Sequence, residues 1–172
     1  MTLFIPEYQD QPAPRELIDM GSFNHSYLQT RIGSLLDRYD AYIPFTELTL
    51  DVSSAPFDEV GIRPQKAMEP DVCLYPYRTL NFRTDTLRMT EMPLLAVEIV
   101  SPVQGMLEIM DKFRVYFALG VKSCWLVLPT IQSVTVFTSP DDSTTHDSGD
   151  LVDPNLNITL PIHAIFRRPR KN

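Results

Sequence analysis

The stretch Leu94–Pro129, LLAVEIVSPVQGMLEIMDKFRVYFALGVKSCWLVLP, restricts the folds open to this chain more than any other part. Leu94, Leu95, Ala96 and Val97 run into Ile99 and Val100, apolar on both faces, which fits a strand covered on both sides. Ser101-Pro102 breaks it, residues 104 to 119 read as a helix, and Gly120 suits the helix end. Lys122 to Pro129 reads as a further buried strand, so the segment is strand, helix, strand. Glu98 interrupts the first strand at its centre. An unpaired charge buried there would cost several kcal/mol, on the order of the whole margin of a small domain. Glu98 therefore needs a cation, a metal or a proton.

The remaining chain supplies strands for such a segment to pair with. Residues 1–15, with Pro6, Pro12 and Pro14, lack periodicity and read as an irregular arm. Residues 24 to 39 carry an apolar stripe of Tyr27, Leu28, Ile32, Leu35, Leu36 and Tyr39, with Asn24 able to cap, and predict a helix. Tyr42 to Val52 alternates as a strand, and Pro44 places its start at a sheet edge. A loop over residues 53 to 69 leads to a strand from Asp71 to Pro76, and another loop spans 77 to 93. Beyond Pro129 the pattern predicts a strand from Ser133 to Thr138, a polar loop over 139 to 150, a short strand near Asn157 to Leu160 and a helical turn from Ile162 to Phe166. One crossover helix in a chain otherwise rich in hairpins implies an α/β architecture, a mixed β-sheet flanked by helices. Residues 16–166 form the expected single domain, and 167–172 a basic tail.

Charge and cysteine usage narrow the function classes. The net charge of −7 argues against indiscriminate polyanion binding, and the basic tail accentuates this: without Arg167, Arg168, Arg170 and Lys171, eleven cations face twenty-two acids. Residues 61 to 90 are the exception, with Arg63, Lys66, Arg78, Arg83 and Arg88 against Glu69, Asp71 and Asp85, either a solvated loop or a rim that contacts phosphate. Cys73 and Cys124 fall in predicted buried strands without partners at ligand spacing and read as core thiols, which leaves little basis for a Cys-His hydrolase. No apolar run reaches membrane-spanning length and no basic-then-apolar start resembles a secretory signal, so a cytoplasmic protein without membrane partners is expected.

Side-chain alternation then selects a second carboxylate. Glu98 shares a strand face with Leu94 and Ala96, and Asp71 shares one with Cys73 and Tyr75. If the two strands are neighbours, Asp71 and Glu98 converge. Two such carboxylates repel unless a divalent cation lies between them, and carboxylates, a backbone carbonyl and waters suit magnesium.

Pro70-Asp71, Glu98-Ile-Val-Ser-Pro, Lys112-x-x-x-Tyr116-x-x-x-Gly120-Val121 and Trp125-x-Val127-x-Pro129 together resemble the bacterial Uma-two family of restriction endonuclease-like domains, within the PD-(D/E)XK nuclease superfamily. The similarity runs from about Glu16 to Phe166, with Glu98 to Pro129 its most specific part. The resemblance implies a restriction-endonuclease-like αβββαβ core and magnesium-dependent hydrolysis of phosphodiester bonds, with DNA the expected substrate and manganese a substitute for magnesium. It implies Asp71 and Glu98 as catalytic metal ligands and the Ile99 carbonyl as a third. Val100 stands where the superfamily's usual lysine would be, and Lys112 on the following helix matches the family's displaced lysine, which would orient water or stabilise the leaving oxyanion. Glu108 matches an acidic family position. By analogy with nucleases of this size a homodimer is expected.

Each residue also has a plainer reading. Glu98 could form a structural ion pair with Lys112 or an arginine, and Asp71 could be a strand-entry residue. Glu108 and Lys112 could be an exposed helix pair, Glu47 an exposed strand residue, and His25 a capping or surface residue, although Glu47 and His25 could also reach the site. Trp125, Tyr116 and Phe117 read as core. The alternative function is a catalytically silent nuclease-fold domain that serves self-association or partner binding.

Overall fold

The strand carrying Glu98 lies third in a six-stranded mixed sheet. The structure is a computed structural model and describes residues 22–101 and 105–167. Its elements run α1 (Phe23–Leu36), β1 (Tyr42–Thr46), β2 (Leu50–Asp51), α2 (Phe57–Val60), β3 (Ala67–Met68), β4 (Val72–Pro76), β5 (Leu95–Ile99), α3 (Met106–Ala118), β6 (Ser123–Leu128), β7 (Ser133–Ser139), β8 (Asp142–His146), β9 (Asp150–Asp153), β10 (Ile158–Pro161) and α4 (Ile162–Phe166). The main sheet has the order β1-β4-β5-β6-β7-β8, and β2-β3 and β9-β10 form two small antiparallel pairs. Only β5 and β6 pair in parallel within the main sheet, because α3 returns the chain between them. The predicted mixed sheet flanked by helices is present, with β1 at the edge where Pro44 is tolerated.

Strand alternation sends side chains to two separate cores. On one face Val72, Leu74, Leu95, Val97, Trp125 and Val127 pack with Leu28, Ile32 and Leu35 of α1 and with residues of β9, β10 and α4. On the other, Ala96, Cys124 and Leu126 pack with Ile109, Phe113 and Tyr116 of α3 and with Leu50, Met68 and Phe57. Both cysteines are free thiols in the interior, as expected of core residues, and burial pushes the Cys73 thiol up to about 12. Trp125 and Tyr116 are likewise fully buried.

Several boundaries differ from the sequence expectation. The strand expected over Tyr42 to Val52 divides into β1 and β2, because Glu47 takes a left-handed backbone (φ 52°) that no continuous strand accommodates. Its alternation reflected two short segments packed on different partners. Ser22, rather than Asn24, caps α1, its hydroxyl accepting from the His25 amide at 3.4 Å. The loop expected over 53 to 69 contains α2 and β3. The polar loop expected over 139 to 150 contains β8, which is exposed and polar and is held as a strand by its ladder to β7. Such a strand lacks the apolar alternation that marks one in a sequence. The helix after Glu98 spans Met106–Ala118, and Gly120 takes the positive φ (96°) expected past its end. The irregular arm 1–15, residue 104 at the expected helix start, and all of the basic tail except Arg167 lie outside the described residues. No helix among the described residues is long and apolar enough to cross a membrane.

Candidate active site

Antiparallel pairing of β4 with β5 sets the two carboxylates side by side. The register Cys73↔Ala96 and Val72↔Val97, continued by one residue, places Asp71 opposite Glu98. Residues opposed in this way point to one face. The Asp71 Oδ2 also accepts from the Ile99 amide at 2.6 Å, which ties the carboxylate to the end of β5.

Glu98 is almost wholly buried, 1% exposed, and both of its oxygens are engaged by α3. Lys112 Nζ lies 2.8 Å from Oε2, and the Tyr116 hydroxyl donates to Oε1 at 3.0 Å. These residues are four apart and so share a helix face, with Ile109 and Phe113 packing that helix onto the sheet. Burial pushes the Glu98 carboxyl up to about 7; the Lys112 ammonium opposes this and the Asp71 charge adds to it. The Tyr116 phenol is held well above its ordinary range, by burial first and by Glu98 second. Lys112 Nζ also lies 3.5 Å from the Glu69 carbonyl, so the ammonium spans the ends of the two strands.

Asp71 is served by α1 from the opposite layer. His25 Nε2 is 3.1 Å from Oδ1, and the hydrogen bond to Asp71 raises the imidazole's pKa against the lowering effect of burial. One turn further along, the Gln29 amide donates to the Asp71 carbonyl at 3.0 Å and to Glu47 Oε1 at 3.1 Å. The left-handed turn at Glu47 brings its amide to 3.4 Å from the same carbonyl. His25 and Glu47 are thus in this cluster, and the reading of Glu98 and Lys112 as an ion pair is also met. Glu108 stands exposed one turn before Lys112, whose ammonium is directed to Glu98.

Tyr116 and Gln29 were not anticipated as site residues. Their signal is helical spacing: Tyr116 is four residues after Lys112, and Gln29 four after His25. Tyr116 read as core because its ring is core; its hydroxyl alone is polar, and the partner lies on another element.

The donor chemistry fits a hard divalent cation that retains part of its water, since oxygen ligands dominate and each carboxylate oxygen has a second lone pair. Among the described residues no group of three His, Cys, Asp or Glu side chains converges to hold a metal unaided, so the two carboxylates would need the main chain and water to complete a coordination shell.

A known structure shares this architecture. A crystal structure described as a "putative nuclease" from Anabaena variabilis ATCC 29413 superposes with a TM-score of 0.67 at 18% identity, over 86% of this chain and 82% of that one. At that identity the likeness concerns the fold. No curated protein sequence matches the chain. A family model, Uma2, described as "Putative restriction endonuclease", matches residues 14–162, a span that includes both carboxylates, Lys112 and every helix and strand on which they sit. The chain belongs to this Uma2 family.

Proposed function

We propose that the protein is a magnesium-dependent endonuclease that hydrolyses phosphodiester bonds in DNA. The observation that carries this reading is the opposition of Asp71 and Glu98 on neighbouring strands, with Lys112 2.8 Å from Glu98. The Asp71 and Glu98 carboxylates and the Ile99 carbonyl are the proposed ligands of magnesium or manganese. Such an ion, when bound, supplies Lewis acidity and lowers the pKa of a bound water. Lys112 is the proposed catalytic cation, a donor to the water or to a phosphate oxygen. Tyr116 holds the Glu98 carboxylate in one orientation, while His25 and Gln29 do the same for Asp71. Glu47 adds a carboxylate next to Gln29, and Glu108 remains a candidate only through its position on α3. By analogy with nucleases of this size, in which each subunit cuts one strand, a homodimer is part of the proposal.

A second reading, a silent nuclease fold used for association, draws support from one feature. All four oxygens of Asp71 and Glu98 already have partners within the protein. Manganese and magnesium titration by calorimetry separates the two readings. Binding to the wild type that disappears in Glu98→Ala supports the metal site, and cleavage of DNA lost in Lys112→Ala completes the case. A folded wild type that binds neither ion at millimolar concentration and cuts no DNA in their presence leaves the silent reading.

A further inference from the structure

Glu47 holds a left-handed backbone, φ 52°, at an exposed position between β1 and β2. A residue with a Cβ is strained there, whereas glycine is not, and an exposed carboxylate gains no core packing in return. The turn does change where the side chain goes. Alternation along an extended β1 would put Glu47 on the face of Phe45, which packs edge to face on Tyr75 at 5.7 Å. Leu74, the neighbour of Tyr75 on β4, packs with α1, so the face of Phe45 is the one away from α1. The left-handed turn instead brings Glu47 Oε1 to 3.1 Å from the amide nitrogen of Gln29 on α1.

Gln29 uses both of its amide hydrogens here. One goes to Glu47, and the other to the Asp71 carbonyl at 3.0 Å. The same carbonyl lies 3.4 Å from the Glu47 amide, so both of these donors depend on the turn. Glu47 thus fixes the rotation of the Gln29 amide, and Gln29 fixes the main chain of Asp71. From there Asp71 Oδ2 accepts from the Ile99 amide at 2.6 Å, and Oδ1 lies 3.1 Å from His25 Nε2. Among the described residues no three His, Cys, Asp or Glu side chains converge to hold an ion, which sets Glu47 apart from direct ligation.

We propose that Glu47 is a positioning residue that acts through Gln29 to hold the Asp71 end of β4 opposite Glu98, rather than a third carboxylate ligand of the ion. Its benefit to cation binding rests on the nuclease reading above, while the chain of hydrogen bonds belongs to the metal-free protein.

Two measurements test this on wild type, Glu47→Gly, Glu47→Gln, Gln29→Ala and the double variant of Glu47→Gly with Gln29→Ala. Glu47→Gly removes the carboxylate and the backbone strain together, so the variant keeps the fold. In the metal-free protein, the NMR resonance of the Ile99 amide reports its bond to Asp71. Glu47→Gly and Gln29→Ala are each expected to shift it, the double variant no further than either alone. Glu47→Gln, whose amide oxygen still accepts from Gln29, is expected to leave it in place. Manganese calorimetry reads the consequence: Glu47→Gly should bind roughly tenfold more weakly than the wild type, and Glu47→Gln as tightly as the wild type. An Ile99 amide unmoved by Glu47→Gly, additive shifts in the double variant, or a Glu47→Gln as impaired as Glu47→Gly would overturn the proposal, the last by making Glu47 a ligand. The two readings fail separately. A wild type that binds no ion and cuts no DNA, but whose Ile99 amide moves in Glu47→Gly, defeats the nuclease reading and leaves the positioning role. A wild type that binds manganese and cuts DNA, with Glu47→Gly unchanged in both amide resonance and affinity, does the reverse.

Discussion

Lys112 and Glu98 are fourteen residues apart and on different elements, yet Nζ stands 2.8 Å from Oε2, with the carboxylate buried and the ammonium partly open to solvent. The pair stores one charge of each sign at the end of the central strands. Removing Lys112 therefore leaves the buried Glu98 charge without its cation.

Lys112→Met should strand Glu98 as an uncompensated buried charge and destabilise the protein by about 3 kcal/mol at pH 8, where a missing partner is most costly. At pH 5 the loss should be much smaller, because Glu98 then takes up a proton. Urea denaturation at the two pH values reads the difference directly, and an equal loss at both would contradict the pairing.

Glu98 also gives the wild type its own pH dependence. Its carboxyl lies near 7 in the folded protein against an ordinary 4.5, so the folded state binds the extra proton between those values. The corresponding stability is fully present below 4.5 and is lost as pH rises through about 7. Relative to Glu98→Gln, the metal-free wild type should lose on the order of 3 kcal/mol across that window. Parallel stability curves for the two proteins would rule this out.

Tyr116→Phe keeps the ring in the core and deletes one donor to a carboxylate oxygen. A loss of about 2 kcal/mol is expected, the magnitude of a hydrogen bond to a charged group. Because the ring packing is preserved, a thermal melt showing no change would mean that the hydroxyl does not support Glu98.

His25 should titrate above its ordinary 6.5 in an NMR pH series, since its hydrogen bond to Asp71 favours the imidazolium. The associated stability is present below 6.5 and is lost as pH rises through the folded-state pKa. In Asp71→Asn the titration should move back down, leaving burial as the main remaining influence.

Asp153 offers a structural contrast to the active-site candidates. It is fully buried, and its oxygens accept from Ser123 Oγ at 2.9 Å, Trp125 Nε1 at 2.8 Å and the Asn155 and Leu156 amides at 3.1 and 3.3 Å. Neutral donors alone satisfy it. Asp153→Ala should cost about 3 kcal/mol and shift the emission of Trp125, the single tryptophan, which loses its partner.

Apolar runs and a glycine stop, which depend on local chemistry and on burial that is nearly independent of partners, were enough to define the strand, helix, strand segment around Glu98. The sequence also shows that Glu98 needs a cation, a metal or a proton, because the cost of burying a carboxylate holds in any fold. It picked out Asp71 and Lys112 through face alternation and family resemblance. The assembled fold alone sets β4 against β5, which converts two separate alternations into one pair of carboxylates. It likewise decided that Tyr116 and Gln29 are directed to those carboxylates, and that Glu47 turns out of its strand. Periodicity assigns a side chain to a face of its own element, whereas a hydrogen bond between elements depends on register and packing, which are settled only when the whole sheet is assembled. The strand β8 makes the same point, since its polar residues carry no inward face and its conformation exists only through the ladder with β7.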